Sequence, residues 1–378
     1  VQVCPTAALT EVNHSDKVWE ALNDPDKVVL VQTAPAIRVA LGELFGLDAG
    51  TIVTGKMVTA LKRMGFDQVF DTDFGADLTV MEEAAELIYR IQNNKTLPIL
   101  TSCCPAWVKF IEHQFPELLE IPSTCKSPHI MFGTIAKTYY AEKNKIDPDN
   151  IVVVSIMPCI AKKAEAKRPE LTKDEHNNVD IVVTTRELGR MIKEAGIKFE
   201  SLPDSEFDKP LGETTGASVI FGTSGGAIEA ALRTAHEWIT GNPLEKIEFE
   251  ELRGSGGLRI ATVHVNDKEL TIGIASGLGN ARELLEEIRD KKAKYDAIEI
   301  MACPDGCIAG GGQPYHHGNY DVINKRRQAI YEEDKNKQIR KSHENEEILK
   351  LYEQYLGEPF GETAHRLLHT HYEERERI

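Results

Sequence analysis

The feature that most constrains the fold is an alternation of short β-branched runs with longer stretches of helical periodicity. Runs such as KVVLVQTA at 27–34 and IVVVSIM at 151–157 have the length and composition of buried strands. Between such runs lie amphipathic stretches such as DLTVMEEAAELIYRIQNN at 77–94. The alternation predicts an α/β protein with mostly parallel or mixed sheets flanked by helices.

The same patterns predict the positions of individual elements. The predicted strands are 27–34, 68–71, 97–102, 151–157, 179–185, 247–252, 258–265, 269–276 and 295–303. The predicted helices are 37–46, 57–65, 77–94, 106–115, 131–144, 186–196, 226–241 and 281–292. From about residue 321 the chain is highly charged and helical, which indicates an appended segment with little core of its own.

Length, charge and cysteine usage limit the class of protein. A chain of 378 residues is long enough for two lobes, and a net charge of -16 argues against nucleic acid or an anionic membrane as main partner. No apolar run approaches the roughly 20 residues of a membrane span. The start VQVCPTAALTE has neither Met nor a signal peptide, so we expect an upstream part to be missing. Seven cysteines argue against a disulfide framework and for reduced thiols, and we expect a cytoplasmic protein.

Cysteines occur in three clusters that predict a metal centre. These are TSCCPAW at 101–107, MPC at 157–159 and MACPDGC at 301–307. Structural zinc usually shows paired C-x2-C knuckles, which are absent, so the spacing favours an iron–sulfur cluster over zinc. Adjacent side chains of an extended backbone point to opposite sides. We therefore expect one of Cys103 and Cys104 to be a metal ligand and the other to have a separate role. Either one, with the three remaining cysteines of the clusters, makes four thiolates.

Several polar or soft side chains near the clusters have two interpretations each. Met157 and Met301 each precede a candidate ligand by two residues, and they are either core residues or part of the metal site. Lys162 either belongs to a solvent-exposed helix face of Lys and Glu residues or points at an anionic ligand beside the cluster. Glu83 and Glu86, with Arg90 four residues beyond Glu86, are either a surface ion pair or a carboxylate relay for protons.

Three longer stretches resemble the signature motifs of the iron-only (FeFe) hydrogenases. They are TSCCPAW, MPCIAKKAE and EIMACPDGCIAGGGQP, and the resemblance extends from VLVQTAPAIRVA near residue 29 to SHEN and LLHTHY near the C-terminus. It implies two α/β lobes, each a twisted sheet flanked by helices, with the cofactor buried between them. That cofactor is the H-cluster, a 4Fe-4S cubane joined through a thiolate to a diiron unit with CO, cyanide and an azadithiolate bridge.

The resemblance assigns a role to each candidate residue. It implies that Cys104, Cys159, Cys303 and Cys307 hold the cubane and that Cys307 is shared with the diiron unit. Cys103 would exchange protons with the dithiolate amine, and a relay would continue through Glu83, Ser123, Glu86 and Arg90. Lys162 resembles a residue that donates a hydrogen bond to a cyanide ligand. The remaining positions expected around the diiron unit are Ala34, Pro35, Met157, Pro158, Phe221 and Met301, together with the departures Ala36, in place of Ser, and His129, in place of Gln.

The family also implies a domain order and partners. We expect a remnant of a ferredoxin-like iron–sulfur domain at 1–10, lobes at 11–150 and 151–320, and a helical segment at 321–378 that resembles a separate small subunit. Cys4, in CPTAA, resembles the last ligand of such a domain, which implies accessory clusters on a missing N-terminal region. Electrons would come from ferredoxin or NAD(P)H-linked redox subunits, with H2 and protons as substrates and maturation proteins as further partners.

The reaction implied is the reversible conversion of two protons and two electrons into H2, and two other functions stay open. A hydrogen sensor would share the cofactor but typically alters the residue at Cys103 and the glutamate relay. A non-catalytic iron–sulfur scaffold would lose that cysteine and the diiron pocket. A metal site at His365, His369 and His371 is a weaker alternative, and Cys125 is expected to be a buried small thiol.

Overall fold

Strands and helices follow one another in the order that the alternation predicts. A computed structural model describes residues 4, 6, 8–173, 176–244, 246–265, 268–292 and 294–376. The strands are β1 (Val28–Thr33), β2 (Gln68–Asp71), β3 (Ile99–Leu100), β4 (Ile151–Met157), β5 (Thr172–Lys173), β6 (His176–Asn177), β7 (Ile181–Thr184), β8 (Leu258–Val265), β9 (Lys268–Ser276) and β10 (Ala297–Met301).

The helices separate the strands and extend to the C-terminal segment. They are α1 (Ser15–Leu22), α2 (Thr54–Met64), α3 (Asp73–Gln92), α4 (Pro105–Gln114), α5 (Pro128–Ile135), α6 (Ala141–Asn144), α7 (Lys162–Glu165), α8 (Thr185–Glu194), α9 (Gly216–Val219), α10 (Gly226–Thr240), α11 (Leu278–Arg289), α12 (Tyr320–Asn336), α13 (Glu346–Leu351) and α14 (Glu362–Leu368). In the described part of the chain, none of them combines the length and apolarity needed to cross a membrane.

Residue contacts divide the chain into two units, each assembled from segments distant in sequence. Unit 1 comprises the residues up to Gly75, His129–Glu213 and Ile308–Glu333, and unit 2 comprises Ala76–Pro128, Thr214–Cys307 and the residues from Asp334 onward. This division groups residues that contact one another. The domains expected from the sequence are instead consecutive stretches of the chain. Those bounds stay predictions, and part of the expected 1–10 remnant lies outside the described residues.

Unit 1 is built on a four-stranded parallel sheet with the order β2-β1-β4-β7. Val and Ile dominate β1 and β4, and both strands are buried along nearly their whole length, as expected for strands covered on two faces. The backbone N–H of Ala34 still bonds to the carbonyl of Ile156, at 3.0 Å, so the segments that follow β1 and β4 begin side by side. Open α/β sheets place their ligands at this carboxyl edge.

Unit 2 contains a second sheet with the order β3-β10-β9-β8. Strands β3, β10 and β9 are parallel, and β8 pairs antiparallel with β9 at the edge. Ile272 and Ile274 of β9 belong to one apolar cluster, whereas Ile298 and Ile300 of β10 belong to another with Trp107. The mixed α/β class with parallel and mixed sheets is therefore confirmed.

Most of the predicted strands are confirmed, and three of them agree to the residue. These are 68–71, 151–157 and 258–265. The strand predicted at 247–252 is wrong, because its last three residues form a 3-10 turn, Glu250–Leu252, and the rest is irregular. The strand predicted at 97–102 is reduced to Ile99–Leu100.

Two helix predictions need correction. The stretch 37–46 forms 3-10 turns at Pro35–Ile37 and Leu41–Phe45 instead of an α-helix. A Cβ on Gly42 would lie 3.1 Å from Leu47 Cδ1 and 3.3 Å from Val53 Cγ1, so the second turn is closely packed. The helix predicted at 131–144 contains a π-helical part, Ala136–Tyr140, between α5 and α6. The patterns also missed α1.

Candidate active site

The two adjacent cysteines lie in a short loop between β3 and α4 of unit 2. Pro105 begins α4, where its missing N–H leaves no broken bond, and Cys104 precedes it as N-cap. Trp107 fixes the loop from within the helix, because its indole N–H donates to the carbonyl of Thr101 at 2.8 Å. The backbone N–H of Ala302 donates to Cys104 Sγ at 3.4 Å, which ties this loop to the segment after β10.

The second cysteine loop of unit 2 is a tight turn from Cys303 to Cys307. The N–H of Gly306 donates to the carbonyl of Cys303 at 3.1 Å. Asp305 and Gly306 both have positive φ, at 65° and 87°. A Cβ at Gly306 would lie 2.7 Å from the backbone N of Ser224, so only glycine fits at this position. The turn therefore folds the backbone between Cys303 and Gly306 back on itself.

Cys159 lies in unit 1, directly after β4, where Met157 and Pro158 also lie. The N–H of Gly312 donates to the carbonyl of Pro158 at 2.8 Å, and a Cβ on Gly312 would lie 3.0 Å from the carbonyl carbon of Pro158. The last glycine of the run is thus needed for the approach of one backbone to another. Gln313, which the sequence did not single out, donates from Nε2 to the carbonyl of Ala36 at 2.8 Å.

A buried charged group follows Cys159 in unit 1. Lys162 Nζ lies 2.8 Å from Glu165 Oε2, and His129 Nε2 donates to the same oxygen at 2.7 Å. Burial would raise the pKa of Glu165, but Lys162 and His129 outweigh it and hold the pKa at about 2. Burial and the Lys162 charge lower the pKa of His129 to about 4, so its imidazole is neutral near pH 7. Lys162 and Glu165 are therefore not members of a solvated face.

In unit 2, helix α3 carries a second buried polar chain. Ser123 Oγ donates to Glu86 Oε2 at 2.8 Å, and Arg90 Nη2 donates to Glu86 Oε1 at 2.5 Å. Arg90 also donates to the carbonyl of Pro122 at 2.9 Å, so the guanidinium holds the irregular segment that contains Ser123. Glu86 is 2% exposed, which rules out the surface ion pair as the interpretation.

Glu83 lies one helical turn before Glu86 and is also buried. Its Oε1 has no hydrogen-bond partner among the described residues. Burial, and next the negative charge of Glu86, raise the pKa of Glu83 to about 8, against an opposing bond from the N–H of Ser102. Ser102 directly precedes Cys103 in the chain. A carboxyl that is protonated at neutral pH thus lies between the cysteine loop and the Glu86 network.

The other predicted residues lie at element ends. Ala34, Pro35 and Ala36 follow β1, and all three are buried. Phe221 is buried in the 3-10 turn Ile220–Gly222 of unit 2, and Met157 and Met301 end β4 and β10 with 2% exposure each. Their expected contacts with a diiron unit stay predictions.

Sequence reasoning missed Glu299, a buried carboxylate in the middle of β10. It accepts from the N–H groups of Gly225, Ala227 and Ile228, at 2.5, 2.9 and 3.1 Å, and so satisfies the first turn of α10. The one signal in the sequence is an acidic residue inside the apolar strand AIEIM. Glu299 holds α10 against the strand that leads to Met301.

Sequence reasoning also missed a buried group that involves the C-terminal segment. His369 Nδ1 lies 2.7 Å from Thr124 Oγ1, and His369 Nε2 lies 2.8 Å from Glu82 Oε2. Glu82 also accepts from the hydroxyl of Tyr352. His371, by contrast, has a 68% exposed side chain, so the three histidines of the C-terminal pattern do not form one buried site.

The thiols fit a metal cluster by their chemistry. All seven cysteines lie among the described residues, and none is in a disulfide. In unit 2, the bond from Ala302 to Cys104 and the turn at Cys303–Cys307 position three thiols on two connected loops. Four thiolates are the complement that a 4Fe-4S cubane requires, so the residues fit the group.

Cys4 has a different environment. Bonds from backbone N–H groups, first that of Leu9, and from the Thr6 side chain lower the pKa of its thiol to about 7. Its neighbours Pro5 and Ala7 lie outside the described residues, as does that part of the CPTAA motif. The ligand role expected for Cys4 stays a prediction.

Fold and site together define a thiolate-rich α/β protein with a buried acid network. The family model "Iron only hydrogenase large subunit, C-terminal domain" matches residues 27–311, and "Iron hydrogenase small subunit" matches residues 320–375. The chain belongs to the iron-only hydrogenase family, and its C-terminal segment is the small-subunit part that the sequence predicts.

Individual relatives agree with this assignment. The chain is 58% identical to the NADP-reducing hydrogenase subunit HndD of Solidesulfovibrio fructosivorans, over 100% of the chain and 66% of that protein. It is 45% identical to iron hydrogenase 1 of Clostridium pasteurianum, over 97% of the chain and 65% of that protein. A structure of a variant of the [FeFe]-hydrogenase HydA1 from Chlamydomonas reinhardtii matches with a TM-score of 0.86 and 41% identity, over 97% of this chain and 100% of that one. The chain therefore spans slightly less than two thirds of the length of the two curated relatives.

Proposed function

We propose that the protein is a hydrogenase that interconverts H2 with two protons and two electrons at an H-cluster. The observation that carries the proposal is the buried acid network of unit 2, in which a carboxyl with a pKa of about 8 lies beside the Cys103 loop. Proton exchange with a buried centre requires groups whose pKa lies near the operating pH. Relatives named as hydrogenases support the proposal at 58% and 45% identity.

One set of residues would hold the cofactor that carries the electrons, and another set would transfer the protons. Cys104, Cys159, Cys303 and Cys307 would hold the cubane, and Lys162, Met157 and Met301 would contact the diiron unit. When bound, the H-cluster would supply the iron centre at which H2 is cleaved or formed, and it would pass the two electrons to or from the redox partner. The further contacts proposed are backbone groups at Ala34, Pro35, Ala36 and Pro158, and the side chains of Phe221 and His129.

The chain's own groups would carry the proton. Cys103 would exchange it with the centre, and Glu83, protonated at neutral pH, would pass it towards Glu86. Ser123 donates to Glu86 at 2.8 Å, so its hydroxyl is placed to hand a proton to that carboxylate. Arg90 donates to Glu86 from the other side, at 2.5 Å, and would hold that carboxyl group in position at the far end of the relay.

The redox partners and the location of the protein are further proposals. The name of HndD, an NADP-reducing hydrogenase subunit, supports NAD(P)H-linked redox subunits as electron partners, and ferredoxin is the alternative. Dedicated maturation proteins would insert the diiron unit, and accessory iron–sulfur clusters would lie on an N-terminal region outside this chain. The cytoplasm is the proposed location.

Infrared spectroscopy of the protein after maturation tests the cofactor. We expect bands in the CO and cyanide stretching region, because few other biological groups absorb there. Iron and sulfide analysis should give the content of a six-iron centre in the same sample. A protein that holds only a cubane, with no such bands after maturation, would contradict the H-cluster assignment.

Replacement of the proton-exchanging thiol tests the mechanism. Cys103→Ser should lower H2 turnover by a factor of 10² to 10⁴, about the contribution of a general acid–base group, while the cubane stays assembled. Electron paramagnetic resonance of the reduced cubane checks assembly, and Cys4→Ser is the matched control. Near-normal turnover in Cys103→Ser would overturn the role of Cys103.

A further inference from the structure

One arginine of the C-terminal segment holds both ends of the loop that follows Cys307. Arg326, on α12, donates from Nη1 to the carbonyl of Ile308 at 2.8 Å and from Nη2 to the carbonyl of Pro314 at 3.2 Å. Its Nε and Nη2 also donate to the two carboxylate oxygens of Glu43, at 2.7 Å each. The Arg326 side chain is fully buried, and it lies in unit 1 with its partners. The rigid fork of a guanidinium serves several acceptors at once, so a single side chain closes this loop.

Gln313 connects this loop with the segment that follows β1. Its Oε1 accepts from the hydroxyl of Thr185 at 2.7 Å, and its carbonyl accepts from Arg186 Nη1 at 2.6 Å. Its backbone N–H donates to the carbonyl of Gly310 at 3.0 Å. The Nε2 group, which can only donate, is thereby directed at the carbonyl of Ala36, at 2.8 Å. Both the backbone and the side chain of Gln313 are therefore held in one orientation.

The carbonyl groups on either side of Ala36 decide where its N–H points. Arg38, which is fixed by Asp71 at 2.7 Å, donates from Nε to the carbonyl of Pro35 at 3.2 Å. That carbonyl and the N–H of Ala36 belong to one planar trans peptide, so they point in opposite directions. Pro35 has no N–H, so that of Ala36 is the first one the segment can offer to a ligand. Gln313 holds the next peptide through the Ala36 carbonyl, so both peptides of Ala36 are fixed from outside.

The same loop fixes the segment that follows β4. The N–H of Gly312 donates to the carbonyl of Pro158 at 2.8 Å, and the N–H of Arg186 donates to the carbonyl of Gly312 at 3.3 Å. A Cβ on Gly312 would lie 2.9 Å from Thr184 Cβ and 3.0 Å from the carbonyl carbon of Pro158, so the backbone is closely packed on both sides. The loop therefore bonds to both backbone segments of unit 1 that we propose as contacts of the diiron unit.

We propose that Arg326 and Gln313 are positioning residues of the cofactor site. They would hold the loop 308–314 in place, so that the peptides at Ala36 and Pro158 keep their orientation towards the cyanide ligands of the diiron unit. A bound cyanide is an anionic acceptor, so a fixed N–H donor strengthens the hydrogen bond to it. Helix α12 would thus support the site directly. The orientation towards cyanide rests on the proposed function, whereas the fixing of the loop does not.

Hydrogen exchange of the protein that holds only the cubane tests the fixing of the loop. Gln313→Met removes the amide at nearly constant size, and Arg326→Lys keeps the positive charge beside Glu43 but loses the fork. In both variants the backbone N–H groups of peptides 33–40 and 308–316 should exchange at least tenfold faster, as measured by mass spectrometry, because each variant loses bonds that hold this backbone.

The matched control is another buried arginine. Arg233, in unit 2, is also fully buried and pairs with Glu229 and Asp334, at 2.8 and 2.9 Å. Arg233→Lys should leave the exchange of both peptides unchanged. Exchange of β9 should be unaltered in Gln313→Met and Arg326→Lys, which separates a local effect from a general loss of stability. Iron content and melting temperature are measured for each variant.

Infrared spectra of the matured protein test the orientation towards cyanide. Gln313→Met and Arg326→Lys should shift the same cyanide stretching band, because the donor to that ligand is no longer held in place. Thr185→Val frees only the Oε1 atom of Gln313 and should shift the band less. Electron paramagnetic resonance of the reduced cubane should be unchanged in all three variants, and Arg233→Lys should leave the cyanide bands where they are.

Each outcome decides one part of the proposal. Unchanged exchange of both peptides in Gln313→Met and Arg326→Lys would overturn the fixing of the loop. Faster exchange with unshifted cyanide bands, or an equal shift in Arg233→Lys, would overturn the role towards the diiron unit. If Gln313→Met does not assemble a cubane, Arg326→Lys and Thr185→Val give the answer. If the unaltered protein has no cyanide bands after maturation, the proposed function fails, and the exchange rates still decide whether the two residues hold the loop.

Discussion

Two buried glutamates, one in each unit, are held in opposite charge states. Glu165 of unit 1 contacts Lys162 and neutral His129 at 2.8 and 2.7 Å, and its pKa is held at about 2. Glu83 of unit 2 has an oxygen without a partner in the described structure and a pKa of about 8. Burial acts in the same direction on both, so the neighbouring charges decide the difference.

The difference explains the two roles we propose. An ionised Glu165 fixes the ammonium of Lys162 in place, which suits a residue that orients a ligand. A protonated Glu83 holds a proton that it can give up near neutral pH, which suits a relay. One side-chain type thus provides a fixed charge in one unit and a mobile proton in the other.

The largest expected effect is on the mobile proton. Glu83→Gln keeps the size of the side chain but removes its ability to release a proton, and H2 turnover should fall by a factor of at least about 10². The measurement is H2 evolution with a reduced dye, after matching iron content. Glu112→Gln, which alters another buried glutamate of unit 2, is the control and should retain turnover. Equal losses in both variants would show that any substitution of a buried glutamate in unit 2 has this effect.

The next effect concerns the fixed charge. Glu165→Gln removes the carboxylate partner of the buried Lys162 ammonium and should destabilise the protein by about 3 kcal/mol. Denaturant unfolding of the two variants makes the comparison direct, because Glu83→Gln should be at least as stable as the unaltered protein at pH 8. A Glu165→Gln protein with unchanged stability would mean that Lys162 does not depend on this pair.

The smallest effect is expected at His129. His129→Gln preserves a donor to Glu165 and should change stability at pH 7 by less than about 1 kcal/mol. At lower pH the variant should gain relative to the unaltered protein. The folded pKa of about 4 lies below the unfolded value near 6.5, so the unfolded chain binds a proton first and stability is lost as pH falls from 6.5 towards 4.

Melting temperatures of both proteins between pH 4 and pH 7 measure this effect. Parallel curves would contradict a neutral His129, because a histidine that is protonated in the fold would lose no stability over this range.

Strands with strong β-branched runs were predictable from the sequence. β2, β4 and β8 agree to the residue, because each is a short run whose ends are marked by polar or turn residues. The stretch 247–252 alternates like a strand, but Phe249 instead packs into the core of unit 2 from an irregular segment, and Leu252 does so from a 3-10 turn. Hydrophobic periodicity indicates which side chains are buried, but it does not indicate whether a strand or an irregular segment carries them.

In the candidate site, too, residues within short motifs were predictable from the sequence, whereas contacts between distant segments were not. Motif spacing indicated the cysteines and the Glu83–Glu86–Arg90 face, because these lie within short stretches. The Glu82–His369 contact joins residues 287 positions apart, and Glu299 takes its partners from a helix more than 70 positions away. Such pairs depend on tertiary packing, and no local pattern predicts them.

The central claim is that Glu83 is protonated at neutral pH, and infrared spectroscopy of its carboxyl group tests this most directly. The difference spectrum between the unaltered protein and Glu83→Gln, recorded from pH 5 to pH 9, should contain a carboxylic acid C=O band at pH 7 that disappears with a midpoint near pH 8. Glu165→Gln should lose only carboxylate absorption. If the Glu83 difference at pH 7 shows a carboxylate and no acid band, the proposed relay is contradicted.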